Sequence, residues 1–263
     1  MTTAHEFLVI DAFTDRPFAG NPAAVMRLDD FLPDDRLQAI AKEHNLSETA
    51  FLVPAGEGRY RLRWFTPGGE VPLCGHATMA SGYALLEEWG ERGEKVVFET
   101  LSGELQVSRE DGRFRLDLPA AEAEETEADD ALRRASGEGA VRFWRAGTFA
   151  IAELASEEAV AAFKPDLAAI EALDADELGI TALGQDGAVV SRLFAPKLGI
   201  AEDPFTGSLQ AVLVPLWAKR LGKTELAVRQ ISARGGEASS VFTGERVFLF
   251  GNAVTTMRGQ IFF

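Results

Sequence analysis

The chain has 263 residues, 46% of them hydrophobic and 25% charged, which suits one large or two ordinary domains and excludes disordered and fibrous classes. A formal net charge of -15 argues against nucleic acid or an anionic membrane as partner, because neutralising phosphates takes clustered Lys and Arg; a small organic substrate or another protein remains. With one Cys there is no intrachain disulfide, and the three His add too few donors for a clustered zinc site without carboxylates.

From the N-terminus, "EFLVIDAF" reads as a buried strand and "RPFAGNPAAVM" as a turn at Gly20, Asn21 and Pro22 leading into another. The start lacks the basic flank of a signal segment, and no run approaches the ~20 apolar residues of a membrane span, so a cytoplasmic protein is expected. "LPDDRLQAIAKEHN" predicts a helix with Pro33 as its first residue, acids in its first turn, and a stripe of Leu37, Ile40 and Ala41. "LSETAFLVP" then alternates as a strand up to Pro54.

The chain also repeats itself. "FTPGGEVPLCGHATMASGYALLEEWG" from Phe65 aligns with "FAPKLGIAEDPFTGSLQAVLVPLWAKRLG" from Phe194 so that Pro72 falls on Pro204, Cys74 on Thr206, Gly75 on Gly207 and Gly90 on Gly222. A constant offset of 132 residues, kept as far as Gly103 and Gly235, predicts two similar halves, 1–119 and 120–263. They are joined by the acidic, solvated stretch "PAAEAEETEADDALRRASGEGA". In each half the segment after the aligned Gly is apolar on every side, which predicts a central helix buried all round among strands. Pro215 is expected to kink the second of them.

Each buried helix starts directly after Cys-Gly-His or Thr-Gly-Ser. Free amides and the positive dipole end beside Gly75 and Gly207 suit a small carboxylate, or the glycines and serine are only caps. Glu48 shares a strand face with Leu46, Ala50 and Leu52, where burial would raise its pKa and suit it to take and return a proton; the alternative is an exposed strand edge or an ion pair. Asp203 either caps its turn or orients a substrate group. His76 is an acid, base or donor, or a satisfied buried histidine. Residues two apart, as Cys74 and His76 are, do not automatically form a nucleophile and base, and no phosphate-loop or dinucleotide spacing is present.

"DAFTDRPFAGNPAAV", "NLSETAF", "CGHAT" and "EDPFTGS", in this order across nearly the full chain, resemble the phenazine-biosynthesis PhzF-like isomerase family, related in fold to diaminopimelate epimerase. The resemblance implies an α+β fold of two similar halves, each a barrel-like mixed sheet around a central helix, with the active site in the cleft between them. It further implies a homodimer, as is often found, with no cofactor; no metal site is expected. By motif position Glu48 would be the proton-shuttling acid/base, with His76, Asp203 and Ser208 binding or polarising substrate. The epimerase relatives use two thiols; here the equivalent pair is Cys74 and Thr206, and a threonine hydroxyl is too weak an acid to serve as the second base. Departures at "GSLQ" and "ARGGEAS", where many members read "GSAH" and "GRPS", leave the phenazine-pathway substrate outside what the resemblance implies. The expectation is a cofactor-independent isomerase moving a carbon-bound proton on a small carboxylate. The alternatives are a one-thiol racemase using Cys74 and a non-catalytic binding protein.

Overall fold

The apolar N-terminal run forms β1 (Ala4–Ala12), and the Gly20 turn delivers β2 (Asn21–Arg27), antiparallel to it with Ala12 opposite Asn21. The computed structural model describes residues 3–263; Met1 and Thr2, the start of the expected first half, lie outside the described residues. At Gly20 the backbone turns through φ +62°, and a Cβ there would lie 2.2 Å from the Ala12 carbonyl oxygen, so only glycine allows the reversal. Then come α1 (Asp34–His44), β3 (Glu48–Gly56), β4 (Arg59–Phe65), β5 (Glu70–Val71), α2 (Gly75–Tyr83), β6 (Lys95–Thr100), β7 (Gly103–Glu110) and β8 (Arg113–Pro119).

In α1 the stripe of Leu37, Ile40 and Ala41 is the buried face, as its spacing predicts, and Asn45 closes the helix in the left-handed conformation. Pro33 differs by one position: it is the N-cap rather than the first helical residue. β3 also departs from its expected alternation, since Glu48 to Val53 are all buried and the strand runs past Pro54 to Gly56. The reason is that α1 packs on β3 as well as α2, so the strand has no solvent face.

The second stretch holds β9 (Glu124–Thr126), α3 (Asp130–Ser136), β10 (Ala140–Ala146), β11 (Phe149–Leu154), α4 (Glu157–Ala162), α5 (Leu167–Glu171), β12 (Glu177–Leu183), β13 (Val189–Ala195), β14 (Ile200–Asp203), α6 (Gly207–Leu221), β15 (Glu225–Gln230), β16 (Gly236–Phe242) and β17 (Arg246–Gly251); β18 (Ala253–Phe262) closes the chain. The acidic stretch expected as a linker is ordered here: Glu124–Thr126 pairs with β10, and Asp129 caps α3 by accepting the Leu132 N–H at 2.7 Å.

Two compact units result, Met1–Leu118 with Leu249–Phe263, and Pro119–Phe248. The chain returns to its first unit at the end: β18 pairs antiparallel with β1 along its length. The expected division at 119/120 made no provision for that return. Within the first unit the successive pairings are β1–β2 antiparallel, β2–β3 parallel, β3–β4 and β4–β5 antiparallel, β4–β6 parallel and β6–β7 antiparallel. The second unit repeats that succession as β10–β11, β11–β12, β12–β13, β13–β14, β13–β15 and β15–β16. In each, a mixed sheet curves around one apolar helix, an α+β architecture.

The central helices are buried as expected: Gly75 to Gly82 without exception in α2, and ten of the residues of α6. α2 packs on β1, β2, β3 and β7. Gly82 sets its approach to β7, because a Cβ there would lie 2.3 Å from Val107 Cγ1. Beyond Tyr83 the helix loosens into a π turn over Ala84–Glu88, closed by the Trp89 N–H on the Ala84 carbonyl at 2.8 Å. α6 runs unbroken through Pro215. Proline removes the N–H that would bond the carbonyl four residues back, and that carbonyl, of Ala211, instead accepts the Ala121 N–H at 3.0 Å. Among the described residues, no helix is long and apolar enough to cross a membrane.

Candidate active site

Three elements of the first unit bring polar side chains together inside an apolar shell. Glu48 is the first residue of β3 and stands opposite Ala23 of β2 in the parallel register. Asn21, two residues before Ala23, therefore projects from the same sheet face as Glu48. Over that face lies the start of α2, with Cys74 as its N-cap and His76 as its second residue. All four are buried: Asn21 at 0% exposure, His76 at 3%, Cys74 at 6% and Glu48 at 8%.

The imidazole of His76 is the centre of the group. Its Nδ1 lies 3.0 Å from Asn21 Nδ2 and 3.5 Å from Cys74 Sγ. Its Nε2 lies 3.1 Å from Glu48 Oε2. That last pair is close but out of line for a hydrogen bond, and neither atom has another hydrogen-bond partner among the described residues. Buried polar atoms are nearly always satisfied. A donor and an acceptor left side by side in this way retain their capacity for a bound ligand.

Burial alone would pull the imidazole of His76 down, but Cys74 and Glu48 outweigh it and hold the group well above its ordinary value. The Cys74 thiol is itself pushed up to about 11, by burial first and by the Glu48 charge second. Near neutrality the sulfur therefore keeps its hydrogen, and the standing pull on the imidazole comes from Glu48.

Glu48, Cys74 and His76 each offer a metal-ligating atom, all within 4.8 Å of one another. Cys74 Sγ lies beside Nδ1 of the ring and the Glu48 carboxylate beside Nε2.

In the second unit, Thr206 is the N-cap of α6, the counterpart of Cys74. Its hydroxyl donates to the Asp203 carboxylate. Gln230, at the end of β15 and fully buried, accepts the Thr206 N–H at 3.0 Å and donates to the Asp203 carbonyl at 2.7 Å and the Thr206 hydroxyl oxygen at 3.2 Å. Gly207 is buried as the first residue of the helix, and Ser208 beside it is half-buried. Neither N-cap side chain, Cys74 of α2 nor Thr206 of α6, makes a capping hydrogen bond to its own helix.

Of the residues singled out from the sequence, Glu48 and His76 meet in the first unit, and Asp203, Gly207 and Ser208 lie within six residues of one another in the second. Two polar residues central to these clusters were not singled out. Asn21 had a signal, since a lone Asn between Gly20 and Pro22 begins a strand where a small apolar residue would pack more simply. Gln230 had none, because its partners are 24 and 27 residues away.

A family model described as phenazine biosynthesis-like protein matches residues 10–259. An uncharacterised isomerase of Pseudomonas aeruginosa is 48% identical over 256 residues, covering 97% of this chain and 98% of its own. A human phenazine biosynthesis-like domain-containing protein is 38% identical, covering 96% of this chain and 97% of its own. The crystal structure of a PhzF-family phenazine biosynthesis protein from Enterococcus faecalis superposes with a TM-score of 0.94 at 38% identity, covering 99% of this chain and 100% of the other. With the motif order, the paired helix-and-sheet units and these matches all agreeing over almost its whole length, the chain belongs to the phenazine biosynthesis-like (PhzF) family.

Proposed function

We propose that the protein is a cofactor-independent isomerase that moves a carbon-bound proton on a small carboxylate substrate, with Glu48 as the group that removes the proton and returns it. The observation carrying this reading is the pair Glu48 Oε2 and His76 Nε2, 3.1 Å apart, buried, and without aligned hydrogen-bond partners among the described residues. In the reaction the Glu48 carboxylate takes a proton from a carbon next to a carbonyl or carboxylate. The electron pair of the broken C–H bond moves into the conjugated system. The resulting carboxylic acid exchanges its hydrogen with solvent and gives a proton to another carbon of that system, and the carboxylate is restored. His76 beside it binds a substrate oxygen and stabilises the charge that develops there. The isomerase name of the P. aeruginosa relative supports the reaction class.

The amides at Gly75 and Gly207 are proposed as anion-binding groups, each within its own unit, and Asp203 and Ser208 as substrate-binding side chains carried by the second. A one-thiol racemase is less well supported, since a thiol held up at about 11 is almost wholly protonated near pH 7.

The experiment is a thermal-shift screen of small carboxylates, followed by incubation of each hit in heavy water with native protein and with Glu48→Gln. Native protein is expected to incorporate deuterium into one hit, and Glu48→Gln to lose about 10²–10⁴-fold of that rate with its thermal shift retained. Undiminished exchange by Glu48→Gln would sink the assignment. Binding without exchange by the native protein would favour a non-catalytic binder.

A further inference from the structure

The mechanism proposed above gives His76 a donor's role without saying why its hydrogen should sit on Nε2 rather than Nδ1. A neutral imidazole has one N–H and one lone pair, and its neighbours decide which nitrogen holds which. At Nδ1 both neighbours are donors: the Asn21 carboxamide nitrogen at 3.0 Å and the Cys74 S–H at 3.5 Å. At Nε2 the neighbour is a carboxylate oxygen, an acceptor, at 3.1 Å.

We infer that Asn21 is a positioning residue, whose carboxamide N–H donates to Nδ1 of His76 and so fixes the neutral imidazole as the Nε2–H tautomer beside Glu48. Once the imidazolium has lost a proton, the site contains one base and one donor, rather than two competing bases; below that pH Nε2 carries its hydrogen as well. A substrate that fits has an acidic C–H for Glu48 and, adjacent to it, a carbonyl or carboxylate oxygen to accept the Nε2–H. The backbone is built to hold Asn21 in place. The Gly20 reversal puts it at the start of β2, Pro22 keeps it extended, and pairing with Ala12 fixes the register. At 0% exposure no water competes for its amide. Asn21 acts through His76 and has no assigned contact with substrate.

The inference rests on the reading of Glu48 as the base, but its test does not use turnover. Two-bond ¹⁵N–¹H correlations of imidazole distinguish the Nε2–H tautomer, the Nδ1–H tautomer and the imidazolium. The chain has only three histidines, so His76 can be assigned by comparison with His76→Gln. In native protein, above the pH at which the imidazolium loses its proton, the Nε2–H pattern is expected; an Nδ1–H pattern would overturn the inference. In Asn21→Asp the new carboxylate would accept an N–H from Nδ1. The imidazolium should then persist about 1–3 pH units higher, the size of shift an adjacent opposite charge produces. An Asn21→Asp protein with native thermal stability and an unshifted titration would also overturn it. Should Asn21→Asp fail to fold, the native spectrum still decides. Loss of exchange in Glu48→Gln tests the base, and the ring nitrogens test Asn21, so failure of one is distinguishable from failure of the other.

Discussion

Cys74 is the residue whose surroundings make the sharpest demand. Its thiol has an ordinary value of 9.0 and is pushed up to about 11 in the folded chain. Unfolding releases that group to water, so between about pH 9 and 11 the unfolded chain sheds a proton that the folded chain keeps. The stabilisation is complete below pH 9 and is lost as the pH rises through 11, an effect of about 2–3 kcal/mol for two pH units. Cys74→Ala carries no such group. Urea midpoints at pH 8 and pH 10.5 should fall further in the native protein than in Cys74→Ala, and equal falls would contradict the burial argument. The same reasoning predicts that Cys74→Ala retains most of its isomerase activity, at a cost only in packing. At this scale the motif resemblance made Glu48 and His76 legible, because they lie inside contiguous motifs. Their meeting with Asn21 was not, because it depends on how β2, β3 and the start of α2 stack, which no local pattern encodes.

Among the elements, α6 carries a proline where helix interiors rarely tolerate one, and the cost is ordinarily about 3 kcal/mol relative to alanine. Here the carbonyl that Pro215 leaves vacant is taken by the Ala121 amide. Pro215→Ala is therefore expected to stabilise by much less than ~3 kcal/mol, since its new N–H competes for an acceptor already in use, and amide exchange at Ala121 should quicken. An unchanged Ala121 exchange rate in the variant would show that the two donors do not compete. The helix pattern was readable in advance, both for the amphipathic α1 and for the two apolar helices, because periodicity is local. The answer to Pro215 was not, since Ala121 lies 90 residues before Ala211, whose carbonyl it takes, in a stretch whose composition suggested only solvent.

For the molecule as a whole, the feature hardest to foresee is the return of β18 to β1. Pairing between the two ends of a chain is as non-local as a contact can be, and a strand of mixed exposure such as Ala253–Phe262 gives little clue to its partner. Removing residues 253–263 would expose the β1 edge from Ala4 to Ala12, a row of unpaired amides and carbonyls over the most apolar strand of the first unit. The truncated chain is expected to lose the native fold of the first unit and to aggregate. A soluble, cooperatively unfolding truncation with native circular dichroism would show that β18 is dispensable.

That closing strand also bears on how the chain is made. A ribosome delivers residues in order, and domains generally fold as units as they emerge. The unit Pro119–Phe248 is continuous in the chain and has all its residues as soon as Phe248 has cleared the exit tunnel. The unit bearing Glu48 and His76 begins to be translated first but must wait, its β1 edge unzipped, for Ala253–Phe262. A released polypeptide ending at residue 248 would thus hold every residue of the later-made unit, while the earlier-made one still lacked its final strand.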